Sequence, residues 1–578
     1  MSIDPITRQV IRNALRAAAG EMQTSLIKTA HSPLIYEVQD FGVALTDARG
    51  RLVGEGAALA GFLGCLPPTI QKGLEVFGPD GFEEGDIILA NEPYDTGTHI
   101  SDTVLYMPVF FEGRLVAFTA IMAHWADIGA FAPGGWCPST TDVHQEGLIF
   151  NHLKLYDAGR LNKEMLRLIL RNVRTPEAVN GDLNGLIASC NTGAMRFQEL
   201  CRRYGVETLN GAIEEIFENS EARMRREVSE IPDGVYHGEA YLDHDGVERS
   251  KRHRIAATVT IRGSEIEIDF DGSDPVARGP VNHPLVGTRA LCATVLKCVT
   301  MPDDATNDGH LRVATVKAPR DSIVSPEYPA PCDSYGYVAE LVEYVVLKAL
   351  ARAIPHRIPA PSYQMYAYHL VRTGESEHEP FICAEPVDGG GGAFPFDDGP
   401  SGIMFLGNGD APNSPIEILE ASYPVRFTRY TFNPENRGVG KYRGGFGVIR
   451  ELMVTEDKAY LQVSTENNAN PLWGLAGGGD AGRSKTVVTF PDGAEHTFDD
   501  RVGDVGPLEA GTLISMYTAN GGGWGDPGDR DPMRIADDVV NGFFTAEEAA
   551  GSYGVDLGRI EEALRQRRSE MSEVKHAR

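Results

Sequence analysis

Two short histidine–aspartate pairs stand out within residues 91–129, NEPYDTGTHISDTVLYMPVFFEGRLVAFTAIMAHWADIG. His99 and Asp102 form one H-x-x-D pair, and His124 and Asp127 form another. Imidazole and carboxylate are donors that a divalent transition metal takes. An ion held that way lowers the pKa of a bound water and polarises a carbonyl. A lone histidine is more often a structural or surface residue than a ligand. Two such pairs placed symmetrically about one hairpin point instead to a metal site.

The element that positions them reads as that hairpin. Residues 103–110 and 114–121 are rich in Val, Leu, Phe and Tyr, and a Glu112-Gly113 turn joins them. Folding about the turn sets the two flanks side by side, with His99 nearly opposite His124. Pro108 donates no ladder hydrogen bond and predicts an edge strand. An earlier hairpin, 41–46 and 51–54 around Asp47-Ala48-Arg49-Gly50, puts Asp40 at the mouth of its first strand. Before it, Asp4 as N-cap and Pro5 at the first position open a helix to about residue 30. Its stripe of Ile6, Val10, Ile11, Leu15, Met22 and Leu26 is suited to packing on the sheet that follows.

Further along, helices are predicted at 66–77, 162–173, 176–204 (with a break near Asn180-Gly181) and 209–228. Strands dominate from 234 to 271, and apolar helices occupy 288–299 and 337–353. Thr545 caps a helix near the end, and 557–573 reads as an exposed charged helix. We divide the chain into an N-terminal α/β region with the metal-site hairpins (1–230), a middle α/β region (231–370), a glycine-rich β region (371–530) and C-terminal helices (531–578). The fold class is mixed α/β with several layers. Glycine is dense at 389–392, 438–447, 474–482 and 521–525, where turns and bulges are the ordinary expectation.

Bulk composition excludes several classes. The chain has 578 residues, 53 basic against 82 acidic, for a net charge of −29, which argues against nucleic-acid binding. No apolar stretch approaches the ~20 residues of a membrane span, and MSIDPITRQVIRN lacks the apolar core of a signal peptide. Eight cysteines without a C-x-x-C pair read as reduced thiols of a cytoplasmic protein. The stretch GLAGGGDAGRSKT satisfies G-x-G-x-x-G through Gly477, Gly479 and Gly482, and Gly477 to Ser484 falls one residue short of a P-loop, with Arg483 in place of lysine. A dinucleotide fingerprint needs a strand before it and a helix after it, whereas a strand at 486–490 follows here. No G-x-S-x-G elbow or H-E-x-x-H helix is present. ATP, if the reaction needs it, belongs to another chain.

The segments DPITRQVIRNALRAAAGEM, SPLIYEVQDFGVALTDARGRLV, NEPYDTGTHISDTVLYMPVF, AHWADIG, NRGVGKYRGGFG, NPLWGLAGG and GGGWGDPGDRDP run through nearly the whole chain. On them the sequence resembles the hydantoinase B/oxoprolinase family. That family includes subunits of ATP-dependent N-methylhydantoinases, caprolactamase-type lactamases and ketone carboxylases, and the C-terminal half of fused 5-oxoprolinases. The resemblance implies a hydantoinase A-type partner that handles ATP in a hetero-oligomer, and a divalent metal (Mn, Zn or Fe) in this chain. Its ligands fall on His99, Asp102 and His124, with Asp40 as the fourth and Asp127 as ligand or as an acceptor fixing a histidine tautomer. Trp125 stands where many members carry a second histidine, and Ala130 replaces a common glycine.

The chemistry then expected is ring opening of a cyclic amide. Amide resonance makes a lactam or hydantoin resist attack, so the partner phosphorylates the carbonyl oxygen. Hydroxide supplied at the metal opens the activated ring, with Asp102, Asp127 or Glu37 as proton carriers. His144 and Glu146 are pocket or surface-loop candidates, and Trp125, Trp136 and Tyr94 form either an aromatic wall or buried core. Two other readings stand beside this one: a ketone carboxylase subunit, separable by a demand for bicarbonate, and a non-catalytic scaffold whose metal is structural. Structural zinc more often takes cysteine, and none accompanies these histidines.

Overall fold

The hairpin lies at the centre of a seven-stranded antiparallel sheet. Its strands are β1 (Phe41–Asp47), β2 (Leu52–Glu55), β3 (Ile87–Ala90), β4 (Asp102–Phe111), β5 (Arg114–His124), β6 (Leu153–Asp157) and β7 (Arg160–Leu161). They lie in the order β2-β1-β5-β4-β3-β6-β7. In the computed structural model of the chain, residues 3–576 are described except 57–58, 79, 374–378, 410, 436, 467 and 499. Residues 502–504 and 572–576 are described by their backbone alone.

Both faces of the central part of this sheet are covered, so β1, β3, β4 and β5 are buried along nearly their whole length rather than on alternate residues. At one side of the sheet, β6 and β7 are largely exposed or half-buried. Leu105, Met107 and Val109 of β4 face one core with Ile121 and Ala123 of β5. Val104 and Tyr106 face the other with Phe118, Ala120 and Met122. Fully burying each large apolar side chain contributes about 1.5–3 kcal/mol. On the first face lies the helix Pro5–Thr29, started by Asp4, whose carboxylate accepts from Thr7 N at 2.9 Å. It buries Ile11, Leu15, Ala18, Met22 and Leu26 against β1, β2 and the helix Pro176–Tyr204.

Two local expectations are corrected. Pro108 does not mark an edge, because β4 runs between β5 and β3. The β3–β4 register ends at Ile88 opposite Tyr106, so Pro108 lies beyond the level at which β3 pairs. Nor does Asn180-Gly181 break a helix: Pro176–Tyr204 is continuous. Gly181 is there for packing, since a Cβ at this position would lie 2.2 Å from His31 Cγ.

The rest of the chain builds against a second core that runs from Met224 to Ala519. A four-stranded sheet of Gly234–Leu242, His253–Arg262, Glu265–Asp269 and Ala314–Lys317 carries the helix Gly336–Leu350 on one face. That helix is buried at 14 positions, Lys348 excepted, and packs on Leu285–Thr300. Beyond it, a four-stranded and a five-stranded sheet occupy the region to Tyr517, and the chain ends in the helices Pro532–Val540, Ala546–Tyr553 and Leu557–His576. The architecture is therefore mixed α/β with several sheets and helices at both ends. Seven of the eight cysteines are buried, Cys298 is exposed, and all are free thiols. Among the described residues, no helix is long and apolar enough to cross a membrane.

The glycine clusters are not simply turns. Four distant segments meet backbone to backbone: Gly445 N donates to Gly391 O at 2.7 Å, Gly521 N to Gly445 O at 3.0 Å, and Gly523 N to Gly479 O at 2.9 Å. A Cβ on Gly521 would lie 2.0 Å from Gly391 O. The stretch resembling a phosphate loop is part of this seam, and the strand Lys485–Thr489 follows it.

Candidate metal centre

Strand register brings the candidate ligands together. Asp102, first residue of β4, pairs directly with His124, last residue of β5. The residue opposite His124 is thus Asp102 and not His99, which stands three residues ahead of the strand. His99 Nε2 lies 3.0 Å from Asp102 Oδ1 and 3.1 Å from His124 Nδ1, and His124 Nδ1 lies 3.0 Å from Asp102 Oδ1. All three side chains are buried. Atoms about 2.1 Å from one ion and at right angles around it stand about 3.0 Å apart, so the triad matches one face of a metal polyhedron. Two ring nitrogens and a carboxylate oxygen at this separation cannot all point lone pairs at one another without a cation or a proton between them. The donor set therefore fits a divalent transition metal.

Braces from far along the chain hold the triad. His99 Nδ1 lies 2.9 Å from the Asp333 carbonyl oxygen, an acceptor only, so that nitrogen carries the proton and Nε2 is left for the ion. Tyr335 donates its hydroxyl to Asp102 Oδ2 at 3.1 Å. Burial opposes charge on His99, yet Asp102 and Asp333 outweigh it and hold the imidazole well above its ordinary pKa. Burial likewise opposes charge on Asp102, but His99 and His124 keep its carboxyl below the usual range. Tyr335→Phe removes one brace without touching a ligand. We expect metal affinity to fall about 10–100-fold, with folding intact, as chelator competition would measure. Unchanged affinity would remove Tyr335 from the site.

Asp40 reaches the same cavity from the other hairpin, where its carbonyl accepts from His124 N at 3.1 Å. Its carboxylate does not join the three-atom cluster. Burial raises the Asp40 carboxyl to about 6, with Asp102 adding to the shift and His124 and His99 opposing it.

Other candidates stand elsewhere. Asp127 turns away from the triad: Oδ1 accepts from Arg174 Nη1 at 2.9 Å and from Gly134 N at 3.4 Å, and Oδ2 accepts from Arg174 N at 2.5 Å. It clamps the loop after β5 to the segment before Pro176–Tyr204. Asp127→Ala is expected to cost about 3 kcal/mol of stability while metal stoichiometry stays at the wild-type value. Loss of the ion in that variant would restore Asp127 to the site. Glu37 ends the short helix Pro33–Tyr36 and does not line the cavity. His144 is paired with the Tyr328 hydroxyl at 2.8 Å, and Glu146 is buried against Cys332 N and Thr140. Trp125 packs on Phe150 in the core, and Tyr94 bonds the Ala330 carbonyl. Of the three aromatic wall candidates only Trp136 lines the cavity, edge-on to His99 at 5.4 Å.

That cavity, with about 630 Å³ of unfilled space including its open mouth, extends from the triad between two helices. Gly287 and Leu291 line it from Leu285–Thr300, and Gly336, Ala339, Glu340 and Glu343 from Gly336–Leu350. His283, just ahead of the first helix, stacks on Tyr335 at 5.5 Å, and its ring nitrogens have no hydrogen bond of good geometry, the Gly287 backbone being the group nearest to offering one. Burial lowers its pKa to about 3, so it faces the cavity as a neutral imidazole. Neither His283 nor Tyr335 carries a local signal in the sequence. Glu340 and Glu343 do, because they are the two acids of a helix that is buried everywhere except at Lys348, and a carboxyl in such a place needs a reason.

With this geometry in hand, comparison with known proteins is informative. A family model described as hydantoinase B/oxoprolinase matches residues 4–527. A protein of Pseudomonas sp. (strain NS671), named as the B-type subunit of a "putative D-/L-hydantoinase", is 31% identical, covering 99% of this chain and 98% of its own length. The crystal structure of ATP-dependent caprolactamase from Pseudomonas jessenii superposes with a TM-score of 0.87 at 28% identity, over 96% of this chain and 97% of that one. Nucleotide-free acetone carboxylase shares the fold, with a TM-score of 0.88 at 20% identity, over 98% of this chain and 83% of that one. The chain belongs to the hydantoinase B/oxoprolinase family.

Proposed function

We propose that this chain is the B-type subunit of an ATP-dependent complex that opens cyclic amides, and that an A-type partner phosphorylates the amide before it reaches the cavity described above. The observation that carries this reading is the buried His99–Asp102–His124 triad at the end of a partly apolar cavity. A divalent ion bound there would supply positive charge that lowers the pKa of water. Water adds to the activated carbon, the ring C–N bond breaks with the nitrogen taking a proton, and the acyl phosphate left behind is hydrolysed to carboxylate and inorganic phosphate. His99, Asp102 and His124 hold that charge at the cavity end, and Tyr335 and Asp333 fix their orientation. Asp40, facing the triad without belonging to it, accepts the proton of the attacking water at a carboxylate oxygen. Trp136, Phe62 and Leu59 wall the cavity with apolar surface, which excludes bulk water from the activated amide.

The test is turnover by the chain co-purified with its ATP-handling partner, supplied with hydantoin, a lactam or 5-oxoproline, with and without bicarbonate. A ring-opened product that requires ATP and not bicarbonate is expected. A product that forms only with bicarbonate would replace this reading with a carboxylase.

A further inference from the structure

Glu343 is unexplained by the chemistry above. It sits in the helix Gly336–Leu350, 1% exposed, lines the cavity, and neither of its carboxyl oxygens has a hydrogen-bond partner of good geometry. Glu340, three residues earlier, differs: both of its oxygens accept from Met365 N, at 2.9 and 3.0 Å. A buried carboxyl whose one nearby donor, the Gly407 N–H, meets it in poor geometry costs stability, and folds seldom retain one that has no use. The backbone around it is cut to fit. A Cβ on Gly407 would lie 3.2 Å from Glu343 Oε1.

Its distance from the triad is set by the helix. Tyr335, which bonds Asp102, is the residue before Gly336, and Glu343 lies two turns further on the same cavity-facing side. At about 1.5 Å per residue the two are about 12 Å apart along the axis, and helical side chains lean back towards the N-terminus. Glu343 and the triad line the same cavity, separated along it by about two helical turns. Burial pushes the Glu343 carboxyl up to about 8, the nearby Gly407 N–H opposing this only in part, so at neutral pH the group is a neutral acid. A neutral carboxyl offers one O–H donor beside one C=O acceptor. The ligand edge complementary to that pair is a cis amide, whose C=O accepts and whose N–H donates.

We propose that Glu343 reads the second amide edge of the substrate ring, so that the cavity selects cyclic ureides, such as hydantoins, over simple lactams of the same ring size. A lactam presents methylene groups at that edge and leaves the carboxyl unpaired, which is the kind of loss that gives a polar site strong discrimination. This rests on the cyclic-amide reading given above and names the substrate class of the same cavity.

The experiment compares wild type, E343L and E343Q as full-length chains loaded with Mn²⁺, titrated calorimetrically with hydantoin and with 2-pyrrolidinone. Hydantoin is expected to bind wild type at least 10-fold more tightly than 2-pyrrolidinone. E343L should lose that ratio through weaker hydantoin binding, whereas E343Q, whose amide also donates and accepts, should keep most of it. Thermal melts accompany the titrations, and E343L is expected to melt no lower than wild type, because it removes an unpaired buried acid. Equal hydantoin affinity in wild type and E343L, or no preference for hydantoin in wild type, would overturn the assignment. Turnover of the wild-type complex is measured separately. Hydantoin selectivity with no ATP-dependent ring opening would overturn the proposed function alone, and ring opening with unaltered selectivity in E343L would overturn this inference alone.

Discussion

With His99 replaced by alanine, the complex is expected to keep consuming ATP and to stop opening rings. His99 contributes one of three donor atoms that stand 3.0–3.1 Å apart and could hold the ion. Its removal leaves Asp102 and His124 as a two-point site of far lower affinity. A metal that stabilises charge in the transition state is worth several kcal/mol, and each 1.36 kcal/mol is a factor of ten, so ring opening should fall by about 1000-fold or more. Three measurements separate the outcomes: metal per chain by elemental analysis, ATP consumed, and ring-opened product. His124→Ala should behave in the same way. Full product formation by a metal-free His99 variant would sink the proposed role of the triad. Loss of ATP consumption as well would mean that the substitution had disturbed the partner.

The second large effect concerns the glycine seam. Gly521→Ala is expected to prevent accumulation of soluble protein or to lower the unfolding temperature sharply. Its Cβ would meet Gly391 O at 2.0 Å, Gly391 C at 2.3 Å and Gly392 N at 2.7 Å, all of them backbone atoms. A flexible side chain could swing aside from such a clash, but a hydrogen-bonded backbone cannot, and the cost should exceed about 4 kcal/mol. Gly551, inside the helix Ala546–Tyr553, is the control. Nothing lies within 4 Å of a Cβ there, so Gly551→Ala should stabilise by up to about 1 kcal/mol through helix propensity alone. Comparable behaviour of the two variants in thermal melts would mean that the seam is looser than its distances imply.

The contrast between those glycines shows what local sequence carries. The hairpin was legible because β-rich runs, a turn and four donor-type residues all lie within 40 positions, and strand pairing does the rest. Helix starts were legible for the same local reason: Asp4 and Thr545 make the capping hydrogen bonds their side chains suit. What failed depended on partners outside the window. Asp127 repeats the spacing of Asp102, but Arg174, 47 residues later, captures its carboxylate. Gly181 looked like a helix breaker and is a seat for His31. The glycine clusters suggested turns because the other backbones they touch lie up to 161 residues away, as where Gly522 N donates to Pro361 O. His283, Tyr335 and Glu343 acquire meaning only once two helices are laid beside the triad, an arrangement that no spacing of theirs encodes. The family resemblance supplied Asp40, which residue types alone placed only at a strand mouth.

The bracing of Asp102 by Tyr335 has a consequence in time. The two residues are 233 positions apart. At a synthesis rate of about 5–20 residues per second, the ligand hairpin leaves the ribosome roughly 10–50 s before the residues that orient it exist. During that interval the hairpin presents histidines and an aspartate with no fixed tautomer and no shielded cavity, so any ion it meets exchanges freely. Tight retention of an ion would begin only when the segment around Asp333 docks. A metal held by this triad would therefore be selected late, once more than half of the chain had been made, and its presence in purified protein would report that the middle of the molecule has folded onto the beginning.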